Sequence, residues 1–141
     1  MIKKLPQWEM HLFNFLEGRQ DHVFKWGKWD CCILVIEAIK AMTGEKILDH
    51  TWSNKKEALM FIKNNGKSLN KAASIYLKKA GIVTLDKAFI TAGDIVLLED
   101  SENNFEELMG VCTGNLIVCI TDYGYTYRDN HVAKKVWRID G

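Results

Sequence analysis

"FKWGKWDCC", residues 24–32, sets three aromatics, a glycine and an aspartate just ahead of two adjacent cysteines, and a strongly apolar run follows. A cysteine in the first turn of a helix faces unpaired backbone N–H groups and the positive end of the helix dipole, and both favour thiolate over thiol. The same amides can face the oxyanion that forms when a thiolate attacks a carbonyl. Cys31 stands where that geometry arises, with Asp30 as helix cap, the amides near both residues as oxyanion donors, and Gly27 letting the chain turn. Cys32 points about 100° further round the helix and reads as the core member of the pair. The plainer reading stays open, because cysteine is among the most buried residue types and a thiol that begins an apolar helix often only packs. Trp26, Trp29 and Trp52 divide the same way, walling a substrate cleft or filling the core.

Working outward, residues 31–42 carry Ile33, Leu34, Ile36, Ala38, Ile39 and Ala41 before Thr43-Gly44, the pattern of a helix buried on most sides. Trp8, Leu12, Phe15 and Leu16 predict an earlier helix over about residues 6–17, with Pro6 in its first turn and Gly18 as its stop. Asn54 followed by Glu57 reads as a capping box opening residues 55–63, and Ser68 opens a fourth helix that ends near Gly81.

From Gly93 the hydrophobic period changes to that of strands: residues 94–98, then 109–112 and 116–121 as a hairpin around Thr113-Gly114-Asn115, then 123–128 and 134–139. Helices first and antiparallel strands second is the α+β pattern, and no repeat or linker divides the 141 residues, so one domain is expected over 1–141.

Lys plus Arg number 19 and Asp plus Glu 18, so no net field favours nucleic acid or an anionic membrane. The basic start is interrupted by Glu9, His11, Asn14 and Glu17, which argues against a signal peptide, and no run approaches the roughly 18 apolar residues that span a bilayer. The expectation is a soluble protein with no membrane partner. Cys31, Cys32, Cys112 and Cys119 lack the spacing of a zinc site and are too few for a disulfide scaffold, so no metal or other cofactor is expected. Cys112 and Cys119 read as core.

Phe24, Trp26, Gly27, Asp30 and Cys31, followed by an apolar helix closed by Thr43-Gly44, form an F-x-W-G-x-x-D-C pattern. It resembles the NlpC-type superfamily of papain-fold cysteine peptidases, and most of all small phage- and prophage-encoded proteins often found among tail genes. Gly93-Asp94-Ile95-Val96-Leu97 resembles that family's G-D strand opening, and Val136-Trp137-Arg138 its terminal aromatic-Arg strand. The resemblance implies a papain-like fold, with N-terminal helices packed on a C-terminal antiparallel sheet of about five strands. It implies hydrolysis of cell-wall peptide amides through a thioester on Cys31, with Trp26, Gly27 and Trp29 near substrate. Where active members carry a histidine in H-V-G-I, this chain reads Leu108-Met109-Gly110-Val111, so a base must come from elsewhere. His131, near the last strand, is the candidate, ahead of His22, with His11 and His50 as loop or surface histidines. Turn roles suffice for Asp94 and Asp122. The competing reading is a papain-like scaffold without catalysis that binds a partner, as in a phage tail tip or against a host protein. On either reading the protein is made in the bacterial cytoplasm and can be assembled into a virion.

Overall fold

The computed structural model describes residues 2–49, 52–99 and 107–141. Four helices come first: α1 Trp8–Glu17, α2 Cys31–Thr43, α3 Lys55–Asn64 and α4 Leu69–Lys79. The strands are β1 Val83–Leu85, β2 Ile95–Glu99, β3 Glu107–Cys112, β4 Leu116–Thr121, β5 Gly124–Asp129 and β6 Ala133–Arg138. They form one antiparallel sheet in the order β1-β6-β2-β3-β4-β5, so the fold is α+β as the hydrophobic periods imply.

Local chemistry sets the helix ends. Asn54 Oδ1 accepts the Glu57 N–H at 2.9 Å while Glu57 Oε1 reaches back to the Ser53 N–H at 3.0 Å, and Ser68 Oγ accepts the Lys71 N–H at 3.1 Å. α1 is shorter than its sequence pattern suggests: Gln7 lies in the left-handed region at φ 61°, so Pro6 stays in a turn and the helix begins at Trp8. β1 supplies a sixth strand. Its three residues show no inside-outside alternation, Val83 and Thr84 both being exposed, which is why the period-two signal misses it.

α2 is the central element. Ile33, Leu34, Val35, Ile36, Ala38, Ile39 and Met42 are all buried on it, each contributing on the order of 1.5–3 kcal/mol if its side chain is large. One side of the sheet joins this helical core through Ile95, Leu97, Met109, Val111, Val118, Ile120 and Trp137. Alternation sends Val96, Leu98, Leu108, Cys112, Ile117, Cys119 and Val136 to the other side, where they form a second apolar cluster with Ala133. Among the described residues no helix is long and apolar enough to cross a membrane.

Asp94 does more than shape a turn. Its carboxylate is fully buried and accepts the Thr91 N–H at 2.9 Å, Arg138 Nε at 2.9 Å and Arg138 Nη2 at 2.8 Å, so the bidentate pair ties the start of β2 to the end of β6. The sequence order hides this link across 44 residues. Arg138→Met is expected to cost roughly 2 kcal/mol in a urea titration, less than a wholly buried pair because Arg138 is 36% exposed. An unchanged midpoint would mean the pair is only a surface ornament.

Candidate functional site

The loop ahead of α2 is a tight reversal. The Lys25 N–H donates to the Trp29 carbonyl at 3.0 Å and the Trp29 N–H returns to the Lys25 carbonyl at 2.8 Å. At the tip Gly27 holds φ +78°, and a Cβ there would lie 1.6 Å from the Trp52 carbonyl oxygen. Only glycine fits both the dihedral and the space.

Asp30 organises everything around this turn. Oδ1 accepts the Cys32 N–H at 3.0 Å and the Ile33 N–H at 2.9 Å, capping α2, while Oδ2 accepts the Gly27 N–H and the Trp52 indole N–H, each at 2.8 Å. With the side chain only 2% exposed, this carboxylate is a fully engaged structural hub. Of the amides expected as oxyanion donors, those of Cys32 and Ile33 are therefore occupied, and the Cys31 N–H is the one with no acceptor among the described residues.

Cys31 is half-buried at the first position of α2 and packs against both apolar clusters, including the one that contains Leu108. Its neighbour Cys32 follows at the second position of the helix. The adjoining Cys31 thiol, burial, and the charge at Asp30 push the Cys32 thiol well above the ordinary cysteine range. Cys32 packs against the main hydrophobic core, as its position on the helix implies. A raised folded-state value means stability that is complete below about pH 8.5 and falls as the pH climbs above it. Cys32→Ala is accordingly expected to flatten the loss of urea resistance between pH 8 and pH 10, and parallel curves for the two proteins would refute this.

Both thiols line a cavity of about 530 Å³ bounded by α2, α3, α4, the loop carrying Phe24 and Trp26, and the ends of β2, β3 and β6. Val35, Ile36, Leu69, Leu77, Met109 and Ile120 contribute apolar surface. Trp52, Phe61 and Tyr76 make an aromatic wall with successive ring centres 5.2 and 5.5 Å apart, and Phe24 meets Trp26 edge-on at 5.1 Å. At the rim Lys134 Nζ lies 2.8 Å from Glu99 and 3.4 Å from Glu107, and the hydrogen bond to Glu99 leads in raising its ammonium's pKa.

The structure brings Cys31, Asp30 and Trp26 to this cavity. Gly27 supports it through the Asp30 carboxylate and the Trp52 backbone. Trp29 is elsewhere: it is buried between Phe15 and His22, at 6.0 and 5.8 Å between ring centres, because the reversal of the loop turns it toward α1. His131 is also apart from Cys31's cavity. Its imidazole is 79% exposed in the short 3-10 turn Asn130–Val132, 4.0 Å from Asp129, since the chain has left the sheet there before entering β6. No histidine lines the cavity among the described residues, and His50 lies outside them. Leu108 is fully buried. No group of three or more metal-ligating side chains converges among the described residues.

Glu99, Glu107 and Lys134 are rim residues that sequence reading missed. The strand period does place Glu107 on the same side as Met109, but pairing of β2 with both β3 and β6 is needed to unite the three. In comparisons with known proteins, the model of a domain of unknown function, DUF6950, matches residues 3–139. No curated protein matches the chain.

Proposed function

The chain belongs to the DUF6950 family of unknown function, and within it we propose a papain-like, NlpC-type scaffold that binds a ligand in the cavity at the head of α2 without cutting peptide amides. The observation that carries this reading is Leu108. Aligned with the position of the catalytic histidine in the NlpC-like pattern, it is a fully buried member of an apolar cluster against which Cys31 also packs, so that position holds no proton acceptor. Amide cleavage needs protonation of an amine leaving group, and positioned acid–base groups typically supply about 10²–10⁴-fold. Asp30 cannot substitute, because four N–H groups already occupy its oxygens.

Binding suits what the cavity does have. Its volume of about 530 Å³ lies within the range of small-ligand sites, and its walls are mainly apolar and aromatic with a few polar groups at the rim. The ligand is an apolar group, whether of a small molecule or of a peptide side chain presented by a phage or host protein. Because Trp26 and Trp52 line the site, their fluorescence reports occupancy. Titration with 1-anilinonaphthalene-8-sulfonate is expected to give saturable quenching with one site per chain, equally in Cys31→Ala, and weaker binding in Leu69→Trp, which fills the space. Unsaturable quenching indifferent to Leu69→Trp would overturn the reading.

A further inference from the structure

Resting on that reading, we propose that the ligand is a small amphipathic amine, whose apolar body enters the cavity and whose ammonium group is received by Glu99 and Glu107 at the rim. Glu99, the last residue of β2, and Glu107, the first of β3, are direct partners across the antiparallel pair. Like charges in that position cost stability, so the sheet holds two carboxylates together where an oppositely charged pair would serve it better. Lys134 is placed beside them by a β-bulge: Leu97 pairs with Lys135 and Leu98 with Ala133, which leaves Lys134 as the extra residue. Its Nζ contacts both carboxylates, at 2.8 and 3.4 Å, so the chain's own side chain demonstrates that an ammonium fits between them. Among the described residues the lining carries three carboxylates, on Asp30, Glu99 and Glu107, against the ammonium groups of Lys67 and Lys134.

Lys134 holds this seat loosely. It is 44% exposed and Glu99 64%, and ion pairs between such side chains contribute little. Glu107 is the better anchored carboxylate, at 20% exposure, with Oε1 accepting the Asn70 N–H of α4 at 3.3 Å. Lys134's contact with it is the longer of the two. An amine that also buries an apolar body beside Trp52, Phe61 and Tyr76 therefore displaces Lys134 from Glu107, and the faces of those rings attract its charge as well. A cavity of this volume suits a small molecule, with apolar walls for affinity and a few charged groups to set orientation.

The test is isothermal titration calorimetry of the full chain with three probes of one shape: 1-naphthylmethylammonium, 1-naphthylmethanol and 1-naphthoate. The expected order of affinity is ammonium, alcohol, carboxylate, with about tenfold between first and last at low salt and a smaller gap as salt screens the exposed rim. Glu99→Gln combined with Glu107→Gln should bring the three probes to within about twofold of one another. Lys134→Met removes the competing ammonium and should tighten binding of the ammonium probe about threefold while weakening that of naphthoate. Affinity indifferent to probe charge, tighter binding of naphthoate, or no gain for the ammonium probe in Lys134→Met would each overturn the proposal and leave apolar binding in the cavity untouched. The wild-type series decides alone if the variants do not fold. Absence of saturable binding by all three probes would overturn both.

Discussion

Asp30→Ala is expected to remove roughly 4 kcal/mol of folding stability, a large share of what a domain of this size possesses. The loss has two parts. Cys32 and Ile33 lose their cap at the head of α2, typically about 1–2 kcal/mol. The Gly27 N–H and the Trp52 indole N–H are then left buried with no acceptor, at about 1–3 kcal/mol each, with some relief if water reaches them. Asp30→Asn separates the parts: its amide oxygen can keep the cap, but its NH₂ group then faces two donors, so about half the loss is expected. Urea denaturation followed by far-ultraviolet circular dichroism measures both variants. A midpoint for Asp30→Ala close to that of the parent would contradict the role of the carboxylate as hub.

Gly27→Ala is expected to be nearly as damaging for a different reason. The new methyl would lie 1.6 Å from the Trp52 carbonyl oxygen and 2.8 Å from its carbon, both backbone atoms that cannot rotate aside. Left-handed φ adds about 1–2 kcal/mol for any residue with a Cβ, and overpacking a further 1–3 kcal/mol. A fall of about 10 °C in melting temperature follows. The damage should be local in its dynamics as well, with amide exchange accelerated in the first turn of α2 before the sheet is affected. A melting temperature within a degree of the parent would mean that the Trp52 segment yields freely.

These two variants show what could and could not be read in "FKWGKWDCC". That Asp30 caps a helix and Gly27 turns the chain follows from residue type and spacing. The indole of Trp52, 22 positions away, was invisible as the carboxylate's fourth donor, because no local period links a loop tryptophan to a cap. The four helices and five of the strands were legible because each repeats its apolar residues over two or more periods. β1 was not, since three residues cannot display a period. The site was legible only at its thiol: the rim of Glu99, Glu107 and Lys134 assembles through strand pairing, and Trp29 and His131 are displaced by loop geometry that composition does not encode.

A motif that resembles a catalytic one thus has strong structural reasons for two of its residues, Gly27 and Asp30, through their contacts with Trp52. Gly27, Asp30 and Trp52 hold the loop to α2 whether or not Cys31 does chemistry, so their presence says nothing for hydrolysis. Leu108 is the residue that weighs on it. The measurement that bears most directly on the account is cleavage of a peptidoglycan-derived peptide by the wild-type protein, followed by mass spectrometry beside Cys31→Ala. The account predicts intact peptide with both proteins; products formed by the wild type and lost in Cys31→Ala would contradict it.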